Sequence, residues 1–217
     1  MKGKAIMSNQ LTILQACSHE IIIEKSRFIC TLTKVRTETE AQDSVKKLKK
    51  HYWDATHNCS AYIIDATLQR SSDDGEPSGT AGLPMLEVLR KQQLVQVSAV
   101  VTRYFGGIKL GAGGLVRAYT TSVVEALKVA GLARLVPMGV YGFAWPLEDV
   151  GRVVNLLYQQ NIFQVQDIIY ANRAQVQLRL PQERQAEAEA WLTEALSRSI
   201  ELEEITVSVV EQAVDGA

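Results

Sequence analysis

The stretch Arg103-Tyr104-Phe105-Gly106-Gly107-Ile108-Lys109-Leu110-Gly111-Ala112-Gly113-Gly114 constrains this chain more than any other. Five of the chain's 14 glycines fall within nine residues here. Glycine admits positive φ and lets a ligand or a second backbone come close. The stretch follows residues 95–105, a valine-rich run that reads as a buried central strand. It precedes a helical pattern over residues 115–130, where Leu115, Tyr119, Val123 and Leu127 form one apolar stripe and Gly131 is placed to end the helix. Free N–H groups at such a helix start, together with the helix dipole, favour an anion. Arg103, Lys109 and Arg117 surround the loop with positive charge.

The spacing fits neither familiar nucleotide loop. The third glycine of G-x-G-x-x-G would fall on Val116, and Lys109 precedes the glycines where a Walker lysine follows them. Three readings remain open: a tight crossover turn, a phosphate-bearing partner such as RNA, and a protein partner. The candidate binding surface for RNA or another anion is Arg103, Tyr104, Gly106, Gly107, Lys109, Gly111, Gly113, Gly114 and Arg117.

An acidic loop, SDDGEPSGTAG (residues 72–82), carries Asp73, Asp74 and Glu76. Asp-Gly and Glu-Pro are turn dipeptides, so a solvated turn is one reading. Internal pairing of these carboxylates with Arg103 or Lys109 is a second, and oxygen ligation of a divalent cation is a third. The spacing is not that of an EF-hand. His57 and Cys59 share one face of a strand, because side chains alternate along it. Two such residues are not a metal site, and a buried thiol beside a hydrogen-bonded imidazole is the simpler arrangement. His57, Lys25 and Arg27 are candidate supports for the surface. No catalytic residue, metal or cofactor is expected from the sequence.

At 217 residues the chain fits one large or two small domains, and 47% hydrophobic with 22% charged residues is ordinary for a globular protein. A net charge of −1 argues against binding duplex DNA by charge alone. Three cysteines without a C-x-x-C pair exclude a disulfide framework and point to a reducing, cytoplasmic setting. No leader or membrane span is read, and Met7 is an alternative start.

Strand and helix patterns alternate, which predicts an α+β protein. Residues 20–33 read as one long strand. Thr37-x-x-Glu40 is a capping box opening a helix, whose Lys46, Lys47, Lys49 and Lys50 read as a solvated face. Residues 59–64 form a strand, 67–82 a polar loop, and Pro84 suits the first turn of a short helix. After Pro137 the pattern becomes strand, helix, strand, strand, helix, strand, the ferredoxin-like order βαββαβ. The expected divisions are a loose tail at 1–16, a first domain at 17–135, a ferredoxin-like domain at 138–210 and a C-terminal tail at 211–217.

Four segments together resemble the IMPACT family in its bacterial YigZ-type form: Lys25-Ser26-Arg27-Phe28, His57-Asn58-Cys59-Ser60-Ala61-Tyr62, SDDGEPSGTAGLP (residues 72–84) and VVTRYFGGIKLGAGGLVRAY (residues 100–119). The similarity runs over residues 20–130, and the region after Pro137 resembles the family's bacterial C-terminal domain. It implies a first domain like domain IV of elongation factor G and the RNase P protein, followed by a ferredoxin-like domain similar to domain V of that factor. Both relatives handle RNA. Eukaryotic members regulate translation by competing for an activator of a starvation-responsive initiation-factor kinase, a pathway that bacteria lack. The resemblance supplies no catalytic residues. The expected function is therefore a cytosolic, translation-related binding protein contacting RNA, the ribosome or a translation factor. The alternatives are a pure protein-interaction module and a phosphate-using enzyme, with phosphate at Gly111–Gly114 and Mg²⁺ at Asp73, Asp74 or Glu76.

Overall fold

A computed structural model describes residues 10–214. The chain divides into two compact units: within the described residues, 10–134 with 211–214, and 135–210. The chain is a two-domain α+β protein, as the alternation of patterns predicts.

In chain order the first unit contains β1 (Leu11–Ile13), β2 (Cys17–Ile23), β3 (Ser26–Lys34), α1 (Glu38–His51), β4 (His57–Asp65), β5 (Leu68–Ser72), α2 (Gly82–Lys91), β6 (Val97–Tyr104) and α3 (Gly111–Ala130). Five strands form an antiparallel sheet in the order β2-β3-β6-β4-β5. The valine run therefore lies in the middle, and all of β6 except Tyr104 is buried. Such a strand needs apolar or paired side chains on both faces, which is why it shows no alternation.

The first helix begins where the capping box places it. Thr37 Oγ1 accepts the Glu40 N–H at 3.1 Å. The Glu40 carboxylate reaches back one residue further than the usual box and accepts Arg36 N–H at 2.7 Å. On α3 the stripe Leu115, Tyr119, Val123 and Leu127 is buried, and Gly131 ends the helix at φ 64°.

Three elements depart from the expectation. Residues 20–33 are not one strand but the hairpin β2–β3, turned at Glu24 and Lys25 with φ of 46° and 62°. Neither turn residue is glycine or asparagine, so the usual signal for a two-residue turn is missing. The polar loop 67–82 contains β5, a short edge strand whose residues after Leu68 are all polar. The glycine loop stops at Leu110, and Gly111, Gly113 and Gly114 already belong to α3. Of the expected tail at 1–16, residues 1–9 lie outside the described residues; Leu11–Ile13 is a strand, with Ile13 fully buried. Of the expected C-terminal tail, 215–217 lie outside them, while the last strand runs to Ala213.

The second unit holds most of β7 (Leu132–Trp145), a 3-10 turn leading into α4 (Val150–Leu157), β8 (Gln164–Tyr170), β9 (Ala174–Pro181), a second 3-10 turn, α5 (Gln185–Leu196) and β10 (Glu203–Ala213). The order β10-β7-β9-β8, with β9 antiparallel between β7 and β8, is the split βαβ arrangement. Tyr141, Phe143 and Trp145 of β7 pack with Val153, Leu157, Leu192 and Leu196 in its core.

One backbone contact fixes the glycine loop. A Cβ on Gly106 would lie 2.0 Å from the Lys25 carbonyl carbon, so only glycine lets the loop rest on the β2–β3 turn. Its N–H donates to Ser26 Oγ at 3.1 Å. Gly107, at φ 87°, has open space where a Cβ would sit. Gly106→Ala is expected to cost at least about 3 kcal/mol, the upper end for overpacking. Gly107→Ala is expected to cost only about 1–2 kcal/mol, the penalty of a left-handed backbone. Denaturant unfolding of the two variants checks the contrast.

Candidate functional site

Register places the central residues. Arg103 on β6 stands opposite Phe28 on β3 and His57 on β4. Directly opposed side chains share a face, so Phe28, Arg103 and His57 form a row across three strands. Two residues along, Cys30, Val101 and Cys59 form the next row. Tyr119 of α3 covers this face, with its ring edge-on to Phe28 at 5.4 Å between centroids.

Glu76 reaches this row from the acidic loop. Asp74 and Gly75, at φ of 45° and 88°, occupy both positive-φ positions of a tight turn, and Glu76 N–H closes it on Asp73 C=O at 2.9 Å. Glu76 Oε1 accepts from Arg103 Nη1 at 2.6 Å and from Tyr119 Oη at 2.7 Å. The two charged side chains are 3% and 7% exposed, so this is a buried ion pair. The Arg103 guanidinium also lies over the rings of Phe28, at 5.3 Å, and Phe105, at 5.6 Å. His57 Nδ1 donates to Asp74 C=O at 2.8 Å, because a carbonyl only accepts. This orientation turns Nε2 toward Glu76 Oε2, 3.9 Å away.

The three acidic residues therefore have three separate tasks, and they do not converge on one point. Asp73 accepts N–H bonds from Gly79, Ala81 and Gly82 at 2.9, 3.0 and 2.8 Å. The last two amides open α2, whose own cap residue, Ala81, offers no side-chain acceptor. Burial alone would raise the Asp73 pKa; the bonds from Gly79, Gly82 and Ala81 outweigh it and hold the carboxyl below its usual range. Asp74 accepts Asn58 N–H at 2.7 Å and Lys49 Nζ at 2.5 Å. Lys49 is thus not simply part of a solvated face. No group of three metal-ligating side chains is found among the described residues.

Cys59 is fully buried, with its thiol 3.0 Å from Asp73 C=O and 3.3 Å from Tyr119 Oη. Burial pushes the thiol up to about 12, which leaves it protonated and a poor nucleophile. The same cause raises the Tyr119 hydroxyl far above its ordinary value, so it stays a neutral donor.

Above the ion pair opens a cavity of 320 Å³. Arg103, Glu76 and His57 line it, as do Phe105, Lys109 and the start of α3 at Gly111 and Ala112. Of the candidate residues, the structure brings His57, Glu76, Arg103, Lys109 and Gly111 together. It separates others. Tyr104 pairs in register with Arg27 and turns to the opposite face of the sheet, where Arg27 lies over its ring at 5.2 Å. Arg27 is also held by both Glu20 oxygens, at 3.1 and 2.9 Å. Lys25 occupies the hairpin turn and Gly106 packs beneath it, while Gly107, Gly113, Gly114 and Arg117 lie outside the lining. Sequence reasoning placed Tyr119 in the core but missed its hydroxyl on Glu76. It also missed Thr56 and Pro77 in the lining, whereas Phe105, an aromatic that could stack on a base or pack in the core, does line it. Thr56, just before β4, is tied to the lining by its Oγ1, which accepts Phe105 N–H at 3.0 Å, a contact between segments 49 residues apart that no local pattern records.

Glu76→Gln leaves Arg103 buried without a counter-charge. It is expected to destabilise the folded state by roughly 3–5 kcal/mol, with much of the loss restored in Glu76→Met/Arg103→Met. Asp73 gives a pH test. Its folded pKa is depressed, so its contribution is complete above the unfolded value of about 4 and fades as pH falls toward the lower folded value. The stability gap between wild type and Asp73→Asn should be widest at neutral pH and close in acid, read by urea melts from about two units below that unfolded value to about three above it.

Comparison with known proteins agrees with the two units. The Impact N-terminal domain matches residues 24–127, and a Domain of unknown function (DUF1949) matches residues 147–197. IMPACT family member YvyE of Bacillus subtilis is 43% identical over 212 residues, covering 97% of each chain. IMPACT family member YigZ of Escherichia coli is 42% identical over 123 residues, covering 55% of this chain and 60% of that one. A solved structure described as that of an hypothetical protein matches with a TM-score of 0.59 at 32% identity, over 93% of this chain and 99% of that one. With a relative this similar along nearly its whole length, the chain belongs to the IMPACT family.

Proposed function

We propose that the chain is a translation-related regulator that contacts RNA through the mouth of the Arg103–Lys109 cavity. The observation that carries this reading is the convergence of Arg103, Lys109 and the start of α3 on one 320 Å³ cavity. Arg103 is neutralised by Glu76. Lys109 has no ion pair among the described residues, and no side chain caps the start of α3. The surplus at the mouth is therefore positive although the whole chain carries −1. The translation part of the reading rests on family membership, since the resemblance links the eukaryotic members to control of translation.

The competing reading, Mg²⁺-dependent phosphoryl chemistry, needs carboxylates that converge beside the phosphate. Here Asp73 and Asp74 bond backbone amides and Glu76 holds Arg103 and Tyr119. Buried Cys59 offers no nucleophile in its place. Binding is thus better supported than catalysis, and a protein partner at the same mouth is the remaining alternative.

Filter binding of single-stranded RNA across a salt series tests the proposal. Affinity should fall steeply as salt rises, and Lys109→Ala should flatten the log–log slope by about 1. RNA that is not retained even at low salt, while a translation-factor pull-down survives nuclease, would favour the protein partner and overturn the RNA contact.

A further inference from the structure

We infer that the cavity takes a terminal phosphomonoester, as carried by a nucleotide or by the 5′ end of an RNA. The inference deepens the reading of this cavity as an anion site and rests on it.

The first argument is shape. The cavity closes on a floor formed by Arg103 and Glu76, whose side chains are almost inaccessible to water. An internal phosphodiester continues into chain on both sides and needs a groove. A chain end has one attachment and can enter a blind cavity phosphate first.

The second argument is an unfilled donor set. A guanidinium has five N–H donors. Glu76 takes one through Nη1 at 2.6 Å and Ser26 Oγ lies at a long 3.5 Å from Nη2, which leaves N–H groups on both terminal nitrogens; Nε also lacks an acceptor among the described residues but is closed off from water, so it is not a donor that a ligand in the cavity meets. The rings of Phe28 and Phe105 lie against the guanidinium, so the vacant donors look for acceptors in its own plane. A buried cation short of acceptors is unusual. A phosphomonoester offers three terminal oxygens to the remaining N–H groups where a diester offers two, and its second negative charge meets Lys109 and the start of α3, because Glu76 already neutralises Arg103.

The third argument is the surrounding wall. The 20-residue helix α3 starts at the cavity with no side-chain cap, and Gly111, at φ 67°, leaves open space where a Cβ would stand. Lys109 lines the same wall. Phe105 is 47% exposed and lines the cavity, giving a flat apolar surface for the base or sugar behind the phosphate.

The test uses the full chain in calorimetric titrations with four probes: inorganic phosphate, adenosine 5′-monophosphate, and one short RNA with either a 5′-phosphate or a 5′-hydroxyl. The 5′-phosphorylated RNA should bind at least tenfold more tightly than its 5′-hydroxyl twin. Lys109→Ala and Ala112→Asp, both at the exposed rim, should reduce that preference to below threefold while circular dichroism shows the fold intact. If the nucleotide binds and neither RNA does, the phosphomonoester site stands with free nucleotide as its source, and the RNA contact fails. If both RNAs bind equally and the nucleotide does not bind, the RNA contact stands and the terminal-phosphate inference is overturned. No binding of any probe overturns both.

Discussion

Glu76 and Arg103 face each other at 2.6 Å with almost no access to water. Taking two charges into a protein interior costs several kcal/mol per ion, and direct attraction repays it only when further hydrogen bonds are present. Here the Tyr119 hydroxyl supplies a second bond to the same carboxylate oxygen, and two aromatic rings lie against the guanidinium. The pair therefore joins parts that are far apart in sequence. Arg103 belongs to the central strand, Glu76 to the acidic turn, Tyr119 to α3 and Phe28 to the first hairpin. Each must be in place before the charges can be buried together, so the ion pair works more as a specificity device than as a source of net stability.

That arrangement changes how the acidic and basic segments are understood. In sequence they look like two surfaces of opposite sign. In the folded chain their central members cancel each other in the interior, and only the periphery of the basic segment reaches the cavity mouth. Lys109 and the first residues of α3 are left at the cavity mouth, while Arg27 and Tyr104 serve the other side of the sheet. The site is a small concave opening, much narrower than a charged stripe along the molecule.

The fold was legible where a local rule acts alone. The valine run could only be an internal strand, Thr37 and Glu40 could only begin a helix, and the apolar stripe of α3 marked its buried face. The site was legible in its residue types and not in its geometry. That Arg103 and Tyr104 take opposite faces follows from strand alternation, which is local, whereas the face Arg103 shares with His57 depends on the pairing of β4 with β6. Whether Arg103 meets Glu76 depends on a turn 27 residues earlier, and no periodicity records that. The Glu24-Lys25 turn was invisible for a different reason. Its two positive-φ residues carry ordinary side chains, and the conformation is supported by tertiary contact with Gly106, not by turn chemistry.

The capping of α2 by Asp73 has a further consequence. A helix capped by its own neighbour can fray or form independently of the rest of the molecule. This one takes its cap from eight and nine residues upstream, out of the same turn that delivers Glu76 to Arg103. Opening the turn would uncap the helix, and fraying of the helix start would release the turn. The segment from Asp73 through the start of α2 should thus exchange its amide hydrogens as one cooperative unit, and anything that anchors the ion pair from the cavity side should slow exchange at Ala81 and Gly82, two residues that do not line the cavity.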